Sequence, residues 1–202
     1  MSIVLGITGS FQTGKSTAAA FFQKKGARFI NLDAIAHETL KSSHPCFKKV
    51  VRVFGEDIVV GRRIDRRRLA AKVFGDKKRL ARLNTIIHPV VIRTMVDAIA
   101  SLKEKYRMIV VEAPLLFEAK IEKFFDYIIV VTASRKAQLV RAQKSFGCSR
   151  TEALERIASQ MALSQKKQYA DFIIHNNGSK KEIEEQVNAI VKKIKNEQSN
   201  IL

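Results

Sequence analysis

The chain has 202 residues, 46% of them hydrophobic, enough to bury one good core, and it has no long Pro/Gly/Ser stretch that would link two. Lys and Arg number 37 against 19 Asp and Glu, a formal charge of +18 at pH 7, which points to a polyanionic partner or to small, heavily phosphorylated ligands. Cys46 and Cys148 are the only cysteines, the start of the chain lacks a signal-peptide pattern, and no segment approaches the roughly 20 apolar residues of a membrane span, so the expectation is one cytoplasmic domain with free thiols and no membrane partner.

The first apolar run, Ile3-Val4-Leu5-Gly6-Ile7, reads as a buried strand. It leads into Gly9-Ser10-Phe11-Gln12-Thr13-Gly14-Lys15-Ser16-Thr17, which fits G-x-x-x-x-G-K-[ST]. Such a loop wraps a polyphosphate with its backbone amides, so Gly9 and Gly14 supply conformational freedom and Gln12 and Thr13 the amides between them. Lys15 would reach the β- and γ-phosphates, Ser16 would place its hydroxyl on Mg²⁺, and the helix beginning near Lys15 would aim its positive end at the anion. The expectation is a nucleoside triphosphate site; the alternative is a strand-to-helix turn that binds nothing.

Ala18–Phe22 continues as helix, Gly26 stops it, and Ala27–Asn31 reads as a second strand. Asp33 follows that strand and has three open readings: general base for the acceptor hydroxyl, water-mediated holder of Mg²⁺, or cap of the next helix. From Ala34 to Tyr106 the pattern is amphipathic helix (Phe47–Phe54, Leu69–Phe74, Leu80–Ile87 and Val90–Leu102) with no strand interior, predicting a helical insertion. Within it, Arg62–Arg68 is either a solvated face or a polyanion contact.

Met108–Val111, Tyr127–Val131 and Phe172–Ile174 are further strand-like runs separated by helical stretches. This β-α alternation predicts a parallel sheet that binds ligands at its carboxyl rim, bringing together Gly9–Thr17, Asp33, Glu112–Pro114 and Thr132. The basic series Arg141, Lys144, Arg150, Arg156, Lys166 and Lys167 is either a lid over phosphate or a solvent-facing hairpin. Ser149-x-x-Glu152 and Ser179-x-x-Glu182 have capping-box form. No N-K-x-D or D-x-x-G segment supports a GTPase, and the dispersed basic residues and absence of Trp argue against a nucleic-acid platform. A small-molecule kinase fits best.

Taken in order, the phosphate loop, Asp33-Ala34-x-Ala36-His37, Asp65-Arg66-x-x-Leu69, Leu83-Asn84 with His88-Pro89, Pro114-Leu115-Leu116-Phe117-Glu118, Arg156-Ile157-x-x-Gln160 and Ala170-Asp171 through Asn176-x-Gly178 resemble the signatures of the dephospho-CoA kinase family. The resemblance implies ATP-dependent phosphorylation of the ribose 3′-hydroxyl of dephospho-CoA, with Mg²⁺ and without nucleic acid. The implied fold is a three-layer P-loop NTPase-type α/β sheet with helices on both faces, a helical CoA-side insertion over about 34–106 and a lid over about 141–167.

The same resemblance gives Asp33 the base role, Lys15 and Ser16 the phosphate and metal roles, and Arg141 the lid-arginine role. Arg66, His88 and Gln160 become substrate-side residues, with His88-Pro89 either a contact or a helix-start device. The chain departs from the family pattern at Ser10 and Gln12, where glycine is common, at Asn31, where Asp is frequent, and at Ser145-Phe146, where an Arg-Asp or Arg-Asn pair is usual; Lys144 or Arg150 would substitute there. The rivals are another P-loop nucleoside or nucleotide kinase and a nucleic-acid-binding ATPase.

Overall fold

The computed structural model of the chain describes residues 2–73 and 75–199. In chain order the elements are β1 (Ile3–Gly9), α1 (Lys15–Lys24), β2 (Arg28–Asn31), α2 (Leu32–Glu38), α3 (Pro45–Phe54), β3 (Val59–Val60), β4 (Arg63–Ile64), α4 (Arg66–Val73) and α5 (Lys77–Lys103). They continue with β5 (Met108–Glu112), β6 (Tyr127–Thr132), α6 (Arg135–Phe146), α7 (Arg150–Ala158), α8 (Leu163–Gln168), β7 (Phe172–His175) and α9 (Lys180–Ser199).

Two compact units result: the chain up to Ile30 together with the chain from Ile99 onward, and Asn31–Ala98. In the first, the strands form a sheet in the order β2-β5-β1-β6-β7. The register is parallel between β1 and both β5 and β6, with Ile7 opposite Glu112 and Gly9 opposite Val131, and parallel again between β6 and β7. The strands are near-continuous apolar runs because both faces are covered. Leu5, Ile7, Val110, Ile129, Val131 and Ile174 pack with Ala18 and Phe22 of α1 and with Ile183, Val187, Ile190 and Ile194 of α9. The alternate residues Val4, Ile109, Val111 and Val130 are equally buried on the other face.

That other face leaves no room at Gly6, where a Cβ would lie 2.8 Å from Leu116 Cδ1 and 2.9 Å from the Phe125 ring. At the amino ends of the strands, Asp126 and Asp171 accept hydrogen bonds from the amides of Val4 and Ile128, each at 2.7 Å, fixing the ends of the loops that lead into β6 and β7. Gly26, with φ of 90°, is the left-handed stop just beyond α1. Both expected capping boxes form, with Ser149 and Glu152 bonding each other's amides at 2.8 and 3.1 Å and Ser179 and Glu182 doing the same at 2.9 and 3.3 Å.

The second unit departs from the expected all-helical insertion. It contains the antiparallel hairpin β3–β4, with Val59 opposite Ile64 and Val60 opposite Arg63 around the Gly61-Arg62 turn, extended by Lys41 bridging to Arg63. The Leu69–Phe74 helix is α4, and Phe74 lies outside the described residues. The two helices expected on either side of His88-Pro89 are one: α5 runs through Pro89. Proline forfeits one backbone donor there, but the buried stripe Leu83, Ile87, Val91, Met95 and Ile99 keeps its four-residue spacing across it, and burial outweighs the lost bond. This fusion also overturns the expectation about length, since α5 is long and apolar enough to cross a membrane by length and composition. Only that one stripe of it is buried, and Arg82, Arg93 and Asp97 interrupt the apolar sequence.

Candidate active site

The phosphate loop turns at the carboxyl end of β1, the middle strand of the order. Gly9 and Gly14 have φ of 155° and 92°, and between them Gln12 takes the left-handed region at 59°. A Cβ on Gly9 would strike the Val131 carbonyl and the Thr13 hydroxyl, and one on Gly14 would strike the Asn176 side-chain amide, so both glycines are required by space as well as by φ. Inside the loop, the Thr13 hydroxyl donates to the Ser10 carbonyl at 3.0 Å, and Lys15 Nζ donates to the same carbonyl at 2.9 Å. The lysine is thereby folded back along the loop with only 8% of its surface exposed. No side chain caps α1, so its first amides and its positive dipole end are presented to an anion.

Ser16 Oγ donates to Glu112 Oε1 at 2.8 Å. A hydroxyl in the first turn of α1 touching the carboxylate that ends β5 gives two hard oxygen donors, the set that suits Mg²⁺ beside phosphates. Next to them, Thr8 Oγ1 donates to the Pro114 carbonyl at 3.3 Å, and Lys166 Nζ donates to it at 2.8 Å and pairs with Glu118 at 2.9 Å. Lys166 is fully buried, and desolvation lowers its pKa against the opposing pull of Glu118. It is therefore a tie holding the Pro114–Glu118 turn, not one of the lid cations expected to close over phosphate, because α8 packs beside β6 and points it inward.

Arg141, on α6, donates to the carbonyl of Gln12 at 3.4 Å and to the backbone and side-chain oxygens of Asn176 at 2.9 and 3.0 Å. Asn176 Nδ2 in turn donates to the Thr13 carbonyl at 2.8 Å. A cation is thus held against the phosphate loop by the residue that follows β7. The hairpin α6–α7 also packs on the loop through Phe11, which contacts a small cluster of Ala142, Cys148 and Ala153, lies 5.8 Å from the Phe146 ring and has the Arg156 guanidinium 5.4 Å above it. Lys144, Arg150 and Lys167 are exposed. Gln160, just beyond α7, lines a cavity beside Ser10. Thr132 is engaged with the β7 end, donating to the Ile174 carbonyl at 3.2 Å.

Asp33, Arg66 and His88 belong to the Asn31–Ala98 unit. In the sheet β5 lies between β1 and β2, so the strand that precedes Asp33 is not the neighbour of β1. The capping reading of Asp33 falls away: Asn31 is the cap of α2, its Oδ1 accepting from the Ala34 amide at 2.9 Å, and Asp33 stands exposed in the first turn. Asp33 also acts on His37, raising its pKa against burial and Arg66, which together hold it below the ordinary histidine value. His88, half-buried within α5, is lowered by desolvation; being inside a continuous helix, it is no helix-start device.

Sequence alone placed Glu112 at the rim and Asn176 in a motif but gave neither a role in the site. The signal for both was positional: each is the polar residue ending or following an apolar strand at the rim the parallel sheet predicts.

A parallel sheet carrying a G-x-x-x-x-G-K-S loop at its middle strand, with lysine, hydroxyl-carboxylate pair and arginine converging on it, defines the P-loop kinase class. Known proteins narrow this further. The family model described as dephospho-CoA kinase matches residues 3–182. A dephospho-CoA kinase from Carboxydothermus hydrogenoformans is 39% identical over 95% of this chain and 94% of its own length, and one from Bacillus licheniformis is 36% identical over 95% and 96%. A crystal structure of the Thermus thermophilus protein TT1252 is similar at a TM-score of 0.81 and 33% identity, covering 95% of this chain and 97% of that one. The chain belongs to the dephospho-CoA kinase family.

Proposed function

We propose that the chain transfers the γ-phosphoryl group of ATP to the ribose 3′-hydroxyl of dephospho-CoA, giving CoA and ADP. In this reading the bond from the 3′-oxygen to the γ-phosphorus forms, the bond from that phosphorus to the bridging oxygen breaks, and the hydroxyl proton passes to a carboxylate. The observation that carries it is the buried Lys15 ammonium folded onto the loop at Ser10 beside the touching Ser16 and Glu112 oxygens, in a chain of this family. Lys15 supplies the charge that meets the β- and γ-phosphates, and the loop amides hold the rest of the polyphosphate. Ser16 and Glu112 would hold Mg²⁺, which neutralises phosphate charge when bound. Arg141 stands ready to exchange its contacts with Asn176 and Gln12 for phosphate oxygens.

Asp33 is the carboxylate we assign to the proton, supported by the Asp33-Ala34-x-Ala36-His37 pattern and by the transfer of its capping duty to Asn31. Arg66, His88 and Gln160 are assigned to the acceptor. The two buried free thiols, Cys46 and Cys148, support a reducing, cytoplasmic setting.

The test is incubation with Mg-ATP and, separately, dephospho-CoA, AMP, adenosine or single-stranded DNA, following ADP and product mass. A phosphate gained by dephospho-CoA alone is expected. Transfer to AMP or adenosine instead, or ADP release stimulated by DNA without transfer, would overturn the reading.

A further inference from the structure

Beside the phosphate loop lies a cavity of about 370 Å³, bounded by Ser10, Ala133, Gln138, Ile157, Gln160 and Met161 among others. That is far more space than a site built for one bridging water needs. Ala133, Ile157 and Met161 give it apolar walls, and three polar atoms at its lining are buried without a hydrogen-bond partner: Ser10 Oγ, Gln138 Oε1 and Gln160 Oε1. Gln138 and Ser10 are each only 2% exposed. The orientation of Gln138 is fixed, since its Nε2 donates to the Ala133 carbonyl at 2.9 Å and leaves the carbonyl oxygen as the unmatched end. Buried polar atoms are almost always paired in folded proteins, so three orphans at one cavity point to a ligand that completes them.

The orphans state what that ligand carries. Two are amide carbonyl oxygens, which only accept, and the third is a hydroxyl, which accepts or donates. The matching group presents adjacent O–H or N–H donors on a body that packs against apolar walls; a sugar with two neighbouring hydroxyls fits both requirements. An ionised phosphate, which only accepts, leaves both glutamine oxygens unmatched.

Both ATP and dephospho-CoA carry a ribose, and the loop decides between them. Lys15 Nζ is bonded to the carbonyl of Ser10, and this lysine is the one that meets the β- and γ-phosphates in such loops. Ser10 is therefore at the transferring end of the triphosphate, and a group beside it belongs to the molecule that approaches that end. Resting on the functional reading above, we propose that this cavity seats the ribose of the acceptor, with Gln138 Oε1 and Gln160 Oε1 accepting hydrogen bonds from its hydroxyls and Ser10 completing the set. Gln138 and Ser10 then join Gln160 as residues that orient the acceptor, and the hydroxyl that does not react is the one they hold most firmly.

The test compares wild type with Gln160→Leu, which keeps the volume and removes the acceptor atom, and with the milder Ser10→Ala in case the first folds poorly. Steady-state transfer is measured with dephospho-CoA and with its 2′-deoxy analogue, and Mg-ATP binding is titrated without acceptor. The expected result is an acceptor KM raised about 10-fold in Gln160→Leu, ATP affinity within about twofold of wild type, and loss of the wild-type preference for the substrate bearing the 2′-hydroxyl. Weakened ATP binding with an unchanged acceptor KM would assign the cavity to the donor and overturn the proposal. Unchanged values for both in the two variants would mean that water alone completes the orphans, and would overturn it equally. Equal losses for the normal and deoxy acceptors would show a packing role only, again contradicting it. Wild type that transfers nothing to dephospho-CoA would bring down the functional reading and the cavity with it, whereas wild-type transfer with insensitive variants would bring down the cavity alone.

Discussion

Lys15 illustrates how much one side chain depends on its setting. A lysine at 8% exposure is costly unless its ammonium has partners, and the Ser10 carbonyl at 2.9 Å is one that the charge shares with the anion it awaits. Lys15→Ala is expected to lower kcat/KM on the order of 10²-fold and to weaken ATP binding in the same titration, because the lost charge meets both ground-state and transferring phosphates. Unchanged turnover would contradict the loop assignment. Asp33→Asn should behave differently. It keeps size and leaves the Asn31 cap intact, so folding and ATP binding should hold while kcat falls by about 10²–10⁴, the usual worth of a positioned base. Near-normal kcat would remove Asp33 from that role.

At the scale of elements, the strands and caps follow from local pattern, and the misreadings have identifiable causes. β1, β5 and β6 are apolar runs at the heart of the sheet and β7 is a shorter one at its edge, so their length and β-branched content suffice to find them, and Ser149 and Glu152 declare α7 by chemistry alone. The hairpin β3–β4 has two residues per strand, too few for any alternation to register. Pro89 signalled a boundary that the continuing stripe of Leu83, Ile87, Val91 and Met95 overrode. Lys166 counted as one more surface cation until the packing of α8 buried it against Pro114 and Glu118. The phosphate loop was legible because its chemistry is contiguous; Glu112 and Asn176 join it only through the sheet register, which single residues do not announce. Gly6 tests that register. With Leu116 and Phe125 atoms 2.8 and 2.9 Å from where an added methyl would sit, Gly6→Ala is expected to destabilise by about 1–3 kcal/mol in urea unfolding, and a neutral result would mean that the Leu116–Phe125 cover is loose.

For the whole molecule, pH acts through groups whose titration folding displaces. His88 and His37 are both held below the ordinary value of 6.5, His88 by desolvation and His37 by desolvation and Arg66. Below pH 6.5 the unfolded chain then binds more protons than the folded one, so stability falls as pH drops from there toward the folded-state values. Asp57, Asp65, Glu152 and Glu182 are lowered from 3.8 or 4.5 by hydrogen bonds, so the stability they add is lost in a separate, more acid window below those values. Urea midpoints measured across pH should decline in two stages, and His88→Gln should make the upper stage shallower; an unaltered slope would show that His88 is not desolvated. The net charge of +18 acts over the same scale, raising the encounter rate with two polyanionic substrates, and the exposed Arg62, Arg63, Arg66, Arg67 and Arg68 contribute to that field. The central claim, phosphoryl transfer from ATP to one ribose hydroxyl of dephospho-CoA, is most directly tested by phosphorus NMR of the reaction in Mg-ATP. One new 3′-phosphomonoester resonance growing in step with ADP is predicted, and ADP formed without it, or phosphate on any other position, would contradict the account.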